Sequence, residues 1–193
     1  PMAHQMVMQY SVIDADKKAL ILLRPYQVHA IEANKDASRL RQSGYIWHTT
    51  GSGKTLTSYK VARNLLQIPS IEKTIFVIDR TDLDQQTTSA FLSYAENDMI
   101  DIDQTDDTKH LLKNLFSEDR RVIVTTIQKL NTLLRQFEEG LHEKFFHRVK
   151  NLKLAFVVDE CHRAVTPERQ RILEQFFVNS LWYGFTGTPI FKE

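Results

Sequence analysis

Residues 46–55 read IWHTTGSGKT, and this stretch decides the fold. A short apolar run from Tyr45 to Trp47 precedes a glycine-containing turn, and apolar side chains recur at steps of three and four after it. That order is typical of a buried strand followed by an amphipathic helix. Because Gly51 and Gly53 have no Cβ atom, the backbone N–H groups of the turn can approach phosphate oxygens at the positive end of the helix. The stretch therefore predicts a phosphate-binding loop between a strand and a helix.

The polar residues of this loop have separate predicted tasks. Lys54 would contact the β- and γ-phosphates of a nucleotide, and the Thr55 hydroxyl would coordinate Mg²⁺. The remaining predicted nucleotide contacts are Thr50, Gly51, Ser52 and Gly53. The pattern G-x-x-x-x-G-K-[ST] departs at its first position, which is His48 here. An ordinary strand-to-helix turn is the alternative interpretation.

Further apolar runs alternate with helical patterns along the rest of the chain. They are Ile75 to Ile78, Val122 to Val124, Leu154 to Val158 and Leu181 to Phe185. This alternation predicts an α/β fold with an open, mostly parallel sheet and helices on both faces, and in such sheets ligands bind at the carboxyl ends of the strands. One helix is expected from Pro25 to about Arg41, and another from near Asp82.

Two charged stretches lie outside this pattern. Glu96 to Asp107 is acidic and is expected to be an exposed, mobile connection. Lys144 to Lys153 is basic, and a solvated helix face is favoured there over a nucleic-acid patch.

Composition excludes several classes of protein. The chain has 193 residues, a formal net charge of +1 and 42% hydrophobic residues, as an ordinary globular domain has. Any nucleic-acid surface must therefore be local, because there is no bulk basic excess. The single cysteine, Cys161, excludes an internal disulfide and points to a reducing, intracellular compartment. The apolar runs are far shorter than the roughly 20 residues of a membrane-spanning helix, so membrane insertion is not expected.

A second candidate site follows the apolar run that ends at Val158. Asp159 would hold Mg²⁺, and Glu160 would orient or deprotonate the attacking water. Taken alone, this acidic pair could equally be a helix cap. His162 is predicted to link the nucleotide site to neighbouring segments, and Cys161 to be a small buried spacer.

The string Asp159-Glu160-Cys161-His162 resembles the DEAD/DEAH box of superfamily-2 helicases, and further motifs follow the order of that superfamily. Residues 24–27 (RPYQ) resemble the Q motif, 79–81 (DRT) motif Ia, 125–129 (TTIQK) motif Ib and 186–189 (TGTP) motif III. The resemblance implies adenine contacts from Arg24, Tyr26 and Gln27. The residues that it implies for DNA contact or coupling are Arg80, Thr81, Thr125, Thr126, Gln128, His162, Thr186 and Thr188. Each of these motifs also has a simpler interpretation as a helix-surface residue, a turn or a cap.

Longer strings narrow the resemblance. Residues 46–55, 124–130 and 184–191 closely resemble the restriction subunit, HsdR, of type I restriction-modification enzymes. The resemblance implies a RecA-like P-loop NTPase lobe that uses ATP and Mg²⁺. In that family the lobe supports ATP-dependent translocation on double-stranded DNA before endonucleolytic cleavage of foreign DNA. The implied partners are DNA and the methylation (HsdM) and specificity (HsdS) subunits, in the cytoplasm of a bacterium or archaeon.

The motif order also predicts the domain organisation. Residues 1–21 are expected to be an arm or linker from a preceding domain, and residues 22–193 the first motor lobe. A second lobe, which would supply an arginine finger, and a nuclease motif are not found, so weak ATP binding and little hydrolysis are expected of this chain alone. Two alternatives remain: a lobe of another superfamily-2 DNA or RNA helicase, and a non-catalytic nucleotide-binding assembly module.

Overall fold

The computed structural model describes residues 7–48, 53–78, 87–96, 100–102, 107–159, 161 and 165–187. The strands in these ranges are β1 (Ser11–Asp14), β2 (Ala19–Leu22), β3 (Gly44–Trp47), β4 (Lys73–Ile78), β5 (Ile100–Ile102), β6 (Val122–Thr126), β7 (Leu154–Val158) and β8 (Ser180–Thr186). Six of them form a parallel sheet in the spatial order β3-β8-β7-β4-β6-β5. The prediction of an α/β fold with a parallel sheet is confirmed.

The middle of the sheet is made of the most apolar runs. All six residues of β4 and all five of β7 are buried, and β4 pairs with both β6 and β7. A strand that is covered on both faces has no need of polar alternation, so such strands appear in sequence as continuous apolar runs. This is why Ile75 to Ile78 and Leu154 to Val158 could be recognised as strands.

The helices cover both faces, as predicted. They are α1 (Pro25–Arg39), α2 (Lys54–Leu65), α3 (Thr87–Ala95), α4 (Thr108–Phe116), α5 (Ile127–Glu138), α6 (Glu143–Asn151) and α7 (Pro167–Phe176). Along β4, Ile75 and Val77 belong to one hydrophobic cluster with α4, α5, α6 and α7, whereas Phe76 and Ile78 belong to a second cluster with α1, α2 and α3. Among the described helices, none combines the length and the apolar character that a membrane span needs.

Local signals set several helix ends. Pro25 occupies the first turn of α1, where its missing N–H costs nothing. The side chains of Asp107, Thr126 and Thr166 accept hydrogen bonds from backbone N–H groups at the starts of α4, α5 and α7. Helix α1 ends at Arg39, two residues before the expected end. The next residue but one, Arg41, has a φ of 55°, which is incompatible with a continuing α-helix.

Two predictions, for the acidic stretch and for the helix near Asp82, differ from the observed elements. The acidic stretch from Glu96 to Asp107, expected to be an exposed connection, contains strand β5, which pairs with β6 at the edge of the sheet. An edge strand of only three residues, with an aspartate at its centre, lacks the long apolar run that marked the inner strands. The helix expected from near Asp82 is described from Thr87 to Ala95, and residues 79–86 lie outside the described ranges.

Strands β1 and β2 form a hairpin near the N-terminus, and this hairpin packs on the side of the sheet that carries α1, α2 and α3. Val12 belongs to the cluster that contains residues of α2, and the ammonium of Lys60 donates to the carbonyls of Met8 and Ser11, at 2.8 Å each. The expected boundary between residues 21 and 22 falls inside β2. The division into an arm and a lobe stays a prediction.

Candidate nucleotide site

Two residues that are 105 positions apart in sequence meet at the carboxyl end of the sheet. Lys54 is the first residue of α2, and Asp159 directly follows β7, where its backbone N–H donates to the carbonyl of Val77 at 3.1 Å. The Nζ atom of Lys54 lies 3.6 Å from Oδ1 of Asp159, and both side chains are largely buried. A cation and a carboxylate are thus held side by side where parallel sheets bind ligands.

The loop that precedes Lys54 reaches it through a glycine in a left-handed conformation. Gly53 has a φ of 77°, which side-chain-bearing residues rarely adopt. A Cβ atom at this position would also lie 3.0 Å from Nε2 of Gln27. The backbone angle therefore favours glycine here, and a side chain would also displace the Gln27 amide by a few tenths of an ångström.

Gln27 braces this end of the loop. Its side chain is buried; Nε2 donates to the carbonyl of Gly53 at 3.3 Å and to the hydroxyl of Thr57 at 2.9 Å. Its Oε1 accepts from the backbone N–H of Arg24 at 2.9 Å. The amide thus joins the start of α1 to the loop and to α2, and Gln27 is not the helix-surface residue of the simpler interpretation.

His48, at the position where the loop pattern departs, packs into the site as an aromatic residue. Its ring lies 5.7 Å from the ring of Tyr26 and 6.1 Å from that of Phe185, between centroids, and its backbone N–H donates to the carbonyl of Thr186 at 2.9 Å. Burial lowers the pKa of His48 below its usual range, and the nearby charge of Lys54 lowers it further. A neutral imidazole is therefore favoured beside the phosphate loop at pH 7.

The other predicted nucleotide residues lie around this centre. Arg24 and Tyr26 are exposed at the start of α1, and Thr55 is half-buried in the first turn of α2. Arg24 and Tyr26 are thus on the same helical turn as Gln27, on the accessible side of the site.

The residues of motif Ib and motif III differ in exposure. Thr125 is fully buried in β6, and Thr126 caps α5 by accepting from the N–H of Lys129 at 3.3 Å. Gln128 is exposed on α5, and Thr186 is buried at the end of β8. The cap of the simpler interpretation is present at Thr126, and of the four only the Gln128 side chain is exposed.

Several predicted site residues lie outside the described ranges. These are Thr50, Gly51, Ser52, Arg80, Thr81, Glu160, His162 and Thr188.

Sequence inspection missed one close approach in the site region. A Cβ atom on Gly184, in the middle of β8, would lie 2.6 Å from Cδ1 of Tyr45 and 3.0 Å from Sγ of Cys161. Cys161, expected to be a small buried spacer, is only half-buried and packs against the hydrophobic cluster of α4, α5, α6 and α7. A glycine inside an otherwise apolar strand is the signal that could have pointed to the close approach at Gly184.

The donor set suits a hard metal ion that binds with its substrate. No cluster of three or more histidine, cysteine, aspartate or glutamate side chains able to hold a metal occurs in the described ranges. Mg²⁺ in nucleotide sites uses one or two carboxylates together with phosphate oxygens rather than a cage of protein ligands. The carboxylate of Asp159, close to Lys54, and the hydroxyl of Thr55, the next residue of α2, fit that kind of site.

Comparison with protein families gives one matching model. Residues 26–193 match the model of the SWI2/SNF2 ATPase family, which is most of the chain.

Individual relatives bear the names of type I restriction enzymes. The chain is 41% identical over 190 residues to the type I restriction enzyme SsaAORF53P endonuclease subunit of Staphylococcus saprophyticus, with 98% of this chain and 20% of the relative covered. A Mycoplasma pneumoniae protein, provisionally named the C-terminal part of the type I restriction enzyme MpnIIP endonuclease subunit, is 35% identical over 169 residues, with 82% of this chain and 80% of the relative covered. The chain thus spans about a fifth of the length of the long relatives.

Solved structures share the fold at lower identity. The SWI2/SNF2 ATPase core of Sulfolobus solfataricus, in complex with double-stranded DNA, superimposes with a TM-score of 0.63 at 19% identity, covering 94% of this chain and 34% of that one. A nuclease-deletion mutant of the type ISP restriction-modification enzyme LlaGI, with a DNA substrate mimic, gives a TM-score of 0.60 at 19% identity, covering 89% and 18%. The resemblance is one of fold, and it extends over nearly the whole chain.

Proposed function

Because the chain belongs to the SWI2/SNF2 ATPase family and to the endonuclease subunits of type I restriction enzymes, we propose that it is the ATP-binding motor lobe of such a subunit. The family resemblance predicted from the motifs is confirmed. In the intact enzyme the lobe would support ATP-dependent translocation on double-stranded DNA that precedes cleavage of foreign DNA. Its partners would be DNA and the HsdM and HsdS subunits, in the cytoplasm of a bacterium or archaeon.

The observation that carries this proposal is the Lys54–Asp159 pair. The phosphate loop and the acidic box are separate in sequence, and a structural turn or a helix cap would not require them to meet. Their side chains lie 3.6 Å apart in a largely buried position. Phosphoryl transfer needs a phosphate-binding cation and a metal-binding carboxylate at one point, because its catalysis rests on positioning and charge stabilisation.

Within the proposed site, each residue has a role set by its chemistry. Lys54 would hold the β- and γ-phosphates, while Thr55 and Asp159 would hold Mg²⁺ together with phosphate oxygens. When bound, Mg²⁺ would neutralise the charge that develops on the phosphates. Glu160 would orient and deprotonate the attacking water.

The base would lie against α1. Tyr26 and Arg24 are exposed on the first turn of this helix, so both can contact an adenine ring by stacking or by cation contact. Gln27 would join them at the adenine edge once its amide exchanges one of its present partners. The Tyr26 ring lies 5.7 Å from the ring of His48, between centroids, which supports a base site beside the phosphate site.

The remaining motif residues would couple the nucleotide to DNA. They are Arg80, Thr81, Thr125, Thr126, Gln128, His162, Thr186 and Thr188. Contacts of hydroxyl, amide and guanidinium groups with phosphates position a duplex without reading its sequence. Because the Thr125 side chain is buried, we propose that its contribution comes through the backbone and that Gln128 reaches out.

Substitution of Glu160 in the full-length subunit, assembled with its partner subunits, tests the proposal. Glu160→Gln should abolish DNA-stimulated ATP hydrolysis and translocation while leaving ATP binding within about twofold, because it removes the base but keeps the shape. Glu168→Gln is the matched control, since it makes the same chemical change on the exposed first turn of α7. Its activity should equal that of the unsubstituted protein.

Two outcomes would contradict the proposal. Translocation that survives Glu160→Gln would favour the non-catalytic assembly module. An ATPase that double-stranded RNA stimulates as well as double-stranded DNA, in a competition between the two duplexes, would favour another kind of superfamily-2 helicase.

A further inference from the structure

A second concave site lies at the opposite end of the sheet from the Lys54–Asp159 pair. A cavity of about 530 Å³ is lined by side chains drawn from the segments 69–73, 115–120 and 148–152, at the amino ends of β4, β6 and β7. We call it the basal pocket. Strands of this length span roughly 15–20 Å, at about 3.3 Å per residue, so the basal pocket and the nucleotide site are separate.

A buried lysine forms the floor of the basal pocket. Lys73 is almost fully buried, and its ammonium donates to the carbonyl and the hydroxyl of Ser117, at 2.6 and 3.0 Å, and to the carbonyl of Asp119. Burial lowers the pKa of Lys73, and Arg121 and Arg148 lower it further, against the opposing effect of Asp119 and Glu72. The direct partners of this buried cation are neutral oxygens, so its charge is not cancelled by a contacting carboxylate.

Two guanidinium groups line the walls with N–H groups to spare. Arg120 uses Nη2 for the carbonyls of Ile68 and Ile71, and Arg148 uses Nη2 for the carbonyl of Phe116, at 3.5 Å. The guanidinium of Arg148 also lies over the Phe116 ring, 5.0 Å from its centroid. A guanidinium carries five N–H donors, so three remain on Arg120 and four on Arg148. Both side chains are exposed.

The charge on the walls favours an anion. The lining residues include the three cations Lys73, Arg120 and Arg148 and the two carboxylates Glu72 and Glu118. Glu72 already accepts a hydrogen bond from the backbone N–H of Lys153 at 2.8 Å. An excess of positive charge that includes two guanidinium groups suits phosphate, which guanidinium groups bind through two N–H donors.

We propose that the basal pocket is a second phosphate-binding site, in which Arg120 and Arg148 bind a phosphate group and Lys73 supplies fixed positive charge below it. Its volume lies in the range of small-molecule sites. The phosphate can come from a nucleic-acid backbone or from a free phosphorylated compound, and the chemistry of recognition is the same for both.

Calorimetric titration with inorganic pyrophosphate tests the proposal on the full-length protein, with the phosphate loop saturated by a non-hydrolysable ATP analogue. Pyrophosphate should still bind, and Arg148→Gln should weaken this binding by about tenfold or more, because it removes a fork of charged donors. Arg148→Lys should give an intermediate loss, since it keeps the charge without the fork. Lys144→Gln is the matched control, because it removes one exposed charge from the same helix outside the pocket, and it should change the affinity by less than about twofold.

Two results would overturn the proposal: absence of pyrophosphate binding once the phosphate loop is filled, and equal weakening by Arg148→Gln and Lys144→Gln. Unchanged ATP affinity and an unchanged urea midpoint would show that Arg148→Gln leaves the rest of the fold intact. A short DNA duplex added as competitor separates the two sources. Displacement of pyrophosphate by the duplex assigns the site to a nucleic-acid backbone, and binding of pyrophosphate without displacement assigns it to a free phosphorylated compound.

Discussion

The requirement for glycine at position 53 can be measured, because the chain contains a second glycine that separates its two causes. Gly53 has a φ of 77°, and a Cβ atom there would meet Nε2 of Gln27 at 3.0 Å. Gly140, which follows α5, has a nearly identical φ of 79°, but a Cβ atom there would meet nothing within 4 Å. The pair thus differs in contact and not in backbone angle.

The expected costs follow from these two differences. A left-handed conformation costs an alanine about 1–2 kcal/mol, so Gly140→Ala should lower the free energy of unfolding by about that amount. Gly53→Ala should lose the same amount and, in addition, about 1–3 kcal/mol for a displaced buried amide, or about 2–5 kcal/mol in total. The alanine variant at position 53 should also bind ATP more weakly, because the brace of the loop has moved.

Urea denaturation followed by circular dichroism gives both values, and calorimetric titration gives the ATP affinity. The reasoning would be refuted by a Gly53→Ala cost no greater than that of Gly140→Ala, since the contact with Gln27 would then have no energetic weight. A double variant, Gly53→Ala with Gln27→Ala, checks the assignment further. Its loss should be smaller than the sum of the two single losses, because the side chain that clashes is the one removed.

Four more outcomes are expected. The folded-state pKa of His48 lies below its value of 6.5 in an unfolded chain, so the unfolded state takes up protons first on acidification. The free energy of unfolding should therefore fall as the pH drops through 6.5 toward the lower folded-state pKa, and His48→Gln should flatten that fall. In an NMR titration, Lys54→Ala should raise the pKa of His48, and an unchanged value would contradict the proximity of the two groups. Gly184→Ala should lower the free energy of unfolding by about 1–3 kcal/mol through overpacking. Adding Tyr45→Ala to this variant should restore part of the loss, because the Tyr45 ring is the nearest obstacle. A Gly184→Ala variant as stable as the unsubstituted protein would contradict the close approach. Thr126→Ala should lower the free energy of unfolding by about 1 kcal/mol, because it removes the hydroxyl that caps α5, whereas Thr126→Ser should not. Equal stability of the two variants in urea would contradict the capping role of Thr126.

The sequence could predict the inner strands because burial on both faces leaves a local mark. Both β4 and β7 are buried along their whole length; β7 is apolar throughout, and β4 is apolar from Ile75 to Ile78. β5 has one partner strand and the sequence Ile-Asp-Ile, which also suits an exposed loop. Its strand character comes from pairing with β6, and no pattern within three residues can report a neighbour that is 20 positions away.

The same distinction divides the candidate site. The meeting of Lys54 and Asp159 could be predicted from the sequence. Lys54 begins the helix after one predicted strand and Asp159 follows another, and the carboxyl ends of parallel strands lie at the same edge of a sheet. His48 could be identified only as a departure from a pattern. Its packing between Tyr26 and Phe185 joins three segments that are distant in sequence, and the sequence alone does not specify such packing.

Gln27 shows how the two ends of the nucleotide site depend on each other. One amide bonds to the N–H of Arg24, beside the proposed base site, and to the carbonyl of Gly53, at the end of the phosphate loop. A third bond, to Thr57, fixes the amide to the helix that begins with Lys54. The first turn of α1 therefore cannot shift without weakening the partly buried hydrogen bond to the loop, and a bond of this kind contributes about 0.5–1.5 kcal/mol. A base that engaged Gln27 would take one of these bonds, so adenine binding would act on the phosphate loop through this single side chain.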